Sequence, residues 1–264
     1  MRLHVNTAGT GWQWVKRGMR TFFRQPLALT GLFFMFMVVA SLLSLVPVVG
    51  TALSLVLVPA ATLGLMAATR EAEQKRFPMP TVLALAFRGG PERTRAMLVL
   101  GGLYAIAVLA VITVANLFSG PAPLPAPETG DMGAEAMGLV VRPGMLAAML
   151  LYLPVSLAFW HAPPLVYWHG VKPAKSLFFS LVACWGNKGA LTVFTLGWMG
   201  VFMAFGLALG LISSLLGGAA AFQVVLYPLV LLMAAMFHTS LWFSFRDSFR
   251  FDDEATDATD STAA

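Results

Sequence analysis

The chain has 264 residues, of which 58% are apolar and 11% charged, and its formal net charge is +5. Soluble domains carry roughly 25% charged residues, so this chain could not cover a water-facing surface of ordinary polarity. A bilayer removes that requirement, and the mean hydropathy of +0.79 agrees with it. The cations flank long apolar runs and form no block interleaved with aromatics, which argues against nucleic acid and for anionic lipid headgroups as the partner. The single cysteine, Cys184, excludes an internal disulfide and reads as a small buried residue.

Before the first apolar run lie Trp12, Trp14, Phe22 and Phe23 among several cations. That is longer and more complex than a signal-peptide n-region, so the run is expected to stay as a membrane anchor. Helical spacing places Trp12, Val15, Met19, Phe22 and Phe23 on one face of residues 12–25, with Lys16, Arg17, Arg20 and Arg24 over much of the remainder. Such a helix lies in the membrane plane, with its cations contacting the membrane surface.

A span needs about 20 mostly apolar residues. Stretches 27–46, 51–69, 96–118, 145–168, 189–216 and 219–245 qualify, and none contains Asp, Glu, Lys or Arg. The fold class expected is therefore all-α integral membrane, a single six-span domain over residues 1–250. The short links Pro47 to Gly50 and Gly217-Gly218 imply helical hairpins. Pro121, Pro123, Pro125 and Pro127, then Glu128, Asp131 and Glu135, make residues 119–143 an irregular loop outside the membrane. Residues 251–264 are acidic and small and read as a disordered tail.

All Lys and Arg residues except Arg142 fall before span one, between spans two and three, between four and five, or after six. The positive-inside rule then puts both termini in the cytoplasm and the 119–143 loop outside. Two further in-plane helices are expected on the cytoplasmic side. One starts after Pro80 with Val82, Leu85, Ala86 and Arg88; the other starts after Pro173 with Leu177, Phe178, Leu181 and Trp185. Proline suits the first turn of a helix, where its missing N–H is not needed. The order in-plane helix, span, span then recurs in units 10–69, 80–168 and 173–245. The second span of each carries a proline: Pro59, Pro154 and Pro228. Two crossings per unit make the repeats parallel.

Ionisable groups inside a membrane mark function, and the spans offer His161 and His238 alone. The absence of a mid-span carboxylate argues against ion-coupled transport. The densest unusual text is Phe159-Trp160-His161-Ala162-Pro163-Pro164, followed by Trp168-His169-Gly170. His161, His169 and His238 could ligate a metal or haem, but no paired carboxylate, HExxH or CxxCH accompanies them. The competing reading is an interfacial aromatic belt with a backbone-bonded histidine. No GxSxG, GxGxxG or P-loop is present, so no catalytic residue, metal or cofactor is expected. Gly206 and Gly210 form a small-xxx-small pair read as a helix contact.

Several segments carry a family resemblance. They are Phe23-Arg24-Gln25-Pro26-Leu27-Ala28-Leu29, Leu63-Gly64-Leu65-Met66-Ala67-Ala68, Phe77-Pro78-Met79-Pro80, Phe159-Trp160-His161-Ala162-Pro163, Lys175-Ser176-Leu177-Phe178-Phe179-Ser180 and Phe245-Arg246-Asp247-Ser248-Phe249. Together they resemble a family of multi-pass inner-membrane proteins of betaproteobacteria known by a locus tag. The resemblance implies a bacterial inner-membrane address and brings no activity or cofactor. The pattern of in-plane helix plus proline-bearing hairpin is more loosely similar to the membrane domain of some glycerophosphodiester phosphodiesterases. The function expected is a non-enzymatic membrane organiser acting on lipids, a partner protein or further copies of itself. The alternative is a passive or hydrophobe-handling transporter with a cavity lined by Asn116, Ser156, Gln223 and His238.

Overall fold

In hydrocarbon every backbone amide must find its partner within the protein, so long apolar runs close their hydrogen bonds locally as helix. The computed structural model describes residues 2–119, 142–216 and 219–250, the side chains of 213–216, 219–225, 227 and 250 excepted. Its elements are β1 (Arg2–Leu3), α1 (Ala8–Phe22), α2 (Pro26–Ser44), α3 (Gly50–Glu73), a 3-10 segment (Pro80–Phe87), α4 (Pro91–Phe118) and α5 (Pro143–Phe159). Then follow α6 (Ala162–His169), α7 (Pro173–Gly186), α8 (Lys188–Leu216), α9 (Ala219–Ser248) and β2 (Phe249–Arg250). Among the described residues, α2, α3, α4, the α5–α6 pair, α8 and α9 are long and apolar enough to cross a membrane. This is an all-α membrane protein. Residues 120–141 and 251–264, on which the outer loop and the tail were expected, lie outside the described residues.

Both chain ends meet at one end of the bundle. Arg2 pairs with Arg250 and Leu3 with Phe249 in a two-stranded antiparallel ladder, extended by the His4 amide donating to the Ser248 carbonyl at 2.9 Å. The spans pack as α2–α3, α3–α4 and α4–α5, while α9 closes back onto α2 and α3. Each short segment between the spans, and α1 before them, packs on span helices: the 3-10 segment on α3, α7 on α5 and α6, and α1 on α8 and α9. The first helix of the chain is thus seated on its last two spans.

The seat of α1 corrects the expected face. Gly11, Trp14, Val15, Gly18, Thr21 and Phe22 are buried, while Trp12 and Phe23 are 43% and 63% exposed. Two apolar faces exist where the spacing suggested one. Val15 and Phe22 enter the bundle beside Trp14; Trp12 and Phe23 point outward, with Met19 between. Glycine decides this. A Cβ on Gly11 would overlap the Ala190 carbonyl, and one on Gly18 would lie 2.7 Å from the Ser240 Cα, so the backbones themselves touch.

In α7 the expected apolar residues Phe178, Leu181 and Trp185 face away from the protein, while Leu177 packs against the core. The buried residues of this helix are the small ones, Ser176, Ser180, Ala183 and Cys184. Phe178 and Trp185 are 62% and 74% exposed, and Leu181 is also exposed. After Pro80 the helix is 3-10, with Val82 and Ala86 buried. A Cβ on Gly206 or Gly210, the pair expected to make a helix contact, would meet nothing within 4 Å among the described residues.

Candidate functional site

The double proline breaks the fourth span. α5 stops at Phe159 and α6 restarts at Ala162, with Pro163 and Pro164 buried in its first turn. Prolines lack the N–H that a continuing helix would donate backward, so the chain turns at Trp160-His161. The repair comes from α7. Ser180 Oγ accepts the His161 amide at 2.9 Å and donates to the Leu157 carbonyl at 2.7 Å. These are the two groups that would have bonded each other in an unbroken helix. A hydroxyl is spliced into the missing bond, and Cys184 Sγ reaches the same carbonyl at 3.6 Å. Burial pushes the Cys184 thiol up to about 12, against a smaller lowering by Ser180.

The residues singled out in the sequence cluster only in part. Trp160 donates its indole N–H to Ser244 Oγ at 3.0 Å and meets Phe194 and Phe237 edge-on. His161 is buried, its ring 6.0 Å from Phe245 and 5.5 Å from Phe249, and its Nδ1 has no partner among the described residues. His169 is exposed and touches the same Phe245 at 6.1 Å. His238 stands elsewhere, its Nδ1 2.8 Å from the Ala234 carbonyl and its ring 4.9 Å from Phe33. His161 and His169 therefore flank one phenylalanine, and His238 does not join them. Among the described residues no three His, Cys, Asp or Glu side chains are grouped to hold a metal.

The sequence reading missed a polar cluster at the end where the termini meet. Asp247 accepts from Trp14 Nε1 and pairs with Arg17, both at 3.0 Å. Glu73 accepts from Trp242 Nε1 at 2.9 Å and pairs with Arg246 at 2.5 Å. Each carboxylate is gripped by one indole and a guanidinium a helical turn apart, and Arg246 also donates to Asp247 at 3.2 Å, which ties α1 to α9 and α9 to α3. Asn187 is a second tie: its Oδ1 accepts the Asn6 amide at 2.7 Å, and its Nδ2 donates to the His4 carbonyl at 3.1 Å. The available signal was a carboxylate at each apolar boundary, Glu73 after span two and Asp247 after span six.

This cluster sorts the four cations of the first helix. Arg17 is committed to Asp247, and Arg24 donates to the Glu73 carbonyl at 3.2 Å. Lys16 and Arg20 are exposed. Around the spans lie grooves of about 630, 310, 500 and 340 Å³ with apolar walls. Asn116, Ser156 and His238 line none of these, and the Gln223 side chain lies outside the described residues.

The break, the in-plane helices and the six apolar spans extend over nearly the whole chain, and so does its likeness to a known protein. It is 37% identical over 256 residues, 94% of each chain, to a probable inner membrane protein of Burkholderia thailandensis. The chain belongs to this family of inner membrane proteins. No family model matches it, and no solved structure is similar to it.

Proposed function

We propose that this inner membrane protein is a non-enzymatic organiser of lipids or partner proteins at the cytoplasmic leaflet, with both termini in the cytoplasm. One observation carries the reading: at the end where the termini meet, exposed aromatics and exposed cations stand side by side on three in-plane segments. Trp12 and Phe23 accompany Lys16 and Arg20 on α1; Phe77 and Phe87 accompany Arg76 and Arg88 around the 3-10 segment; Phe178 and Trp185 accompany Lys175 on and beside α7. Aromatic rings favour the headgroup level, and a cation near an anionic surface contributes about 1 kcal/mol. The looser likeness to a lipid-enzyme membrane domain points the same way by architecture alone.

The test is the lipid shell of the protein in mixed nanodiscs. Replacing Lys16 and Arg20 with Gln should weaken anionic-lipid enrichment at this end by up to about 25-fold, since about 1 kcal/mol per cation is roughly fivefold and the two multiply. Replacing Arg17 and Arg24 should act through stability instead, because their guanidinium groups serve the protein. Unchanged enrichment in the Lys16→Gln, Arg20→Gln variant would sink the electrostatic part.

The three-unit repeat is part of the same proposal. Pro59, Pro154 and Pro228 each lie inside a helix, in α3, α5 and α9, and each in-plane segment seats on the hairpin of the preceding unit, taken cyclically. Depth measurements by spin label beside each proline should place the three within about two helical turns, roughly 11 Å; a wider spread would count against duplication.

A further inference from the structure

Span pairs α2–α3, α3–α4 and α4–α5 pack side by side, and α9 packs on α2 and α3. Between α5 and α8 the ring opens into the groove of about 630 Å³. That volume falls within the roughly 300–1,000 Å³ of small-molecule sites. Its walls are Leu153 and Leu157 of α5, Leu181 and Val182 of α7, and Leu191 and Leu196 of α8, and among the described residues lining it Lys188 alone is charged. We propose that this groove seats one anionic phospholipid, with an acyl chain along the leucines and the phosphate at Lys188. The proposal deepens the reading above, since it rests on the termini-bearing end meeting the headgroup level.

The chemistry of the two ends selects this occupant. Lys188 is the first residue of α8, so an anion beside it also meets the positive end of that helix. Its ammonium stands 5.3 Å from the centroid of the Trp185 ring, which holds it at the mouth and sets an aromatic of interfacial character beside it. From Lys188 to Leu196 the helix rises about 12 Å, so the groove runs from the charged mouth into the span. Along that length the walls are mostly hydrocarbon: of the two hydroxyls lining it, that of Thr192 is already donated to the Lys188 carbonyl at 2.9 Å, which leaves Thr195. Water has few partners there and hydrocarbon has many. A free phosphate would leave the leucines uncovered, and a fatty chain without phosphate would leave Lys188 unmatched.

The experiment is native mass spectrometry of the detergent-purified full chain with dioleoylphosphatidylglycerol as the probe, and with dioleoylglycerol and inorganic phosphate as separate arms. The expected result is one tightly retained phosphatidylglycerol per chain and weak retention of the other two. Thr195 is exposed on the groove wall, so Thr195→Trp should fill the space without disturbing the core and cut retention at least tenfold. Leu207 is exposed on α8 away from the groove, and Leu207→Trp should leave retention unchanged. Lys188→Gln should lower it about fivefold. Retention undiminished in Thr195→Trp, or lost equally in Leu207→Trp, would overturn the seat. Diacylglycerol held as tightly as phosphatidylglycerol would overturn the phosphate assignment. The Lys16→Gln, Arg20→Gln variant should retain this lipid in full, which separates failure of the seat from failure of the surface-charge reading.

Discussion

α1 and α7 are both short helices at the same end of the bundle, yet they turn opposite sides inward. α1 buries two of its three aromatic side chains, Trp14 and Phe22, and approaches α8 and α9 through Gly11 and Gly18. α7 buries Ser176, Ser180, Ala183 and Cys184 and leaves Phe178 and Trp185 outside. In water the second arrangement would be unstable, because aromatic surface would stay hydrated. Beside a bilayer it is favourable, since lipid covers the aromatics and the protein supplies partners for the small polar groups. An apolar helix face in a membrane protein therefore identifies a side that avoids water, and leaves open whether protein or lipid covers it.

Substitutions should separate the two helices. The largest effect belongs to Trp14→Ala, which empties a fully buried site and removes an indole donor from Asp247. A loss of about 3–5 kcal/mol is expected, read as a large fall in thermal unfolding temperature in detergent. Trp185→Ala, at an exposed ring, should change stability by about 0.5 kcal/mol or less. Equal losses would erase the contrast between the helices.

Ser180→Ala comes next. It strands the His161 amide and leaves the Leu157 carbonyl only the Cys184 thiol at 3.6 Å, and leaving a buried group unpaired costs about 1–3 kcal/mol. Ser176→Ala is the matched control. That serine is equally buried, but its hydroxyl only donates to the Pro173 carbonyl at 2.7 Å within the first turn of its own helix, so the cost should be smaller. A Ser180→Ala protein as stable as wild type would show that the break in the fourth span needs no hydroxyl.

The smallest effect is on pH. The Cys184 thiol is raised to about 12 by burial, above its unfolded value of about 8.5. The stability this thiol contributes is therefore complete below about 8.5 and is lost as pH rises through its folded value. At pH 9 the folded chain should resist maleimide, while the denatured chain labels within minutes. Rapid labelling of the folded protein would place the small-residue face of α7 outside.

The spans were legible because an uncharged apolar run of sufficient length has few alternatives; their boundaries moved by only a few residues. The break at Pro163-Pro164 was visible as text, and Trp160 and His161 do sit at its hinge. What held the break was not visible, because Ser180 lies on another helix and nothing local marks a serine as a splint. Trp14 was left off the assigned face because a single apolar face was assumed for α1, and the actual inner face runs through glycines, which carry no hydropathy signal of their own. The histidines looked like one constellation in sequence, yet His238 lies against Phe33 on α2, a separation that depends on how the spans pack.

The seat of α1 on α8 and α9 has a consequence for biosynthesis. A ribosome adds about 5–20 residues per second, so on the order of ten to fifty seconds separate the emergence of the first helix from that of its partners. Through that interval Trp14 and Phe22 have no protein to cover them. Under the proposed function, Trp12, Phe23, Lys16 and Arg20 would let α1 rest on the membrane surface meanwhile. Only when the last span arrives do Asp247, the Ser240 backbone and the β2 strand complete its berth. Assembly thus ends where translation began, and a chain cut short before its final span would leave its opening helix without Asp247 and the Ser240 backbone to pack on.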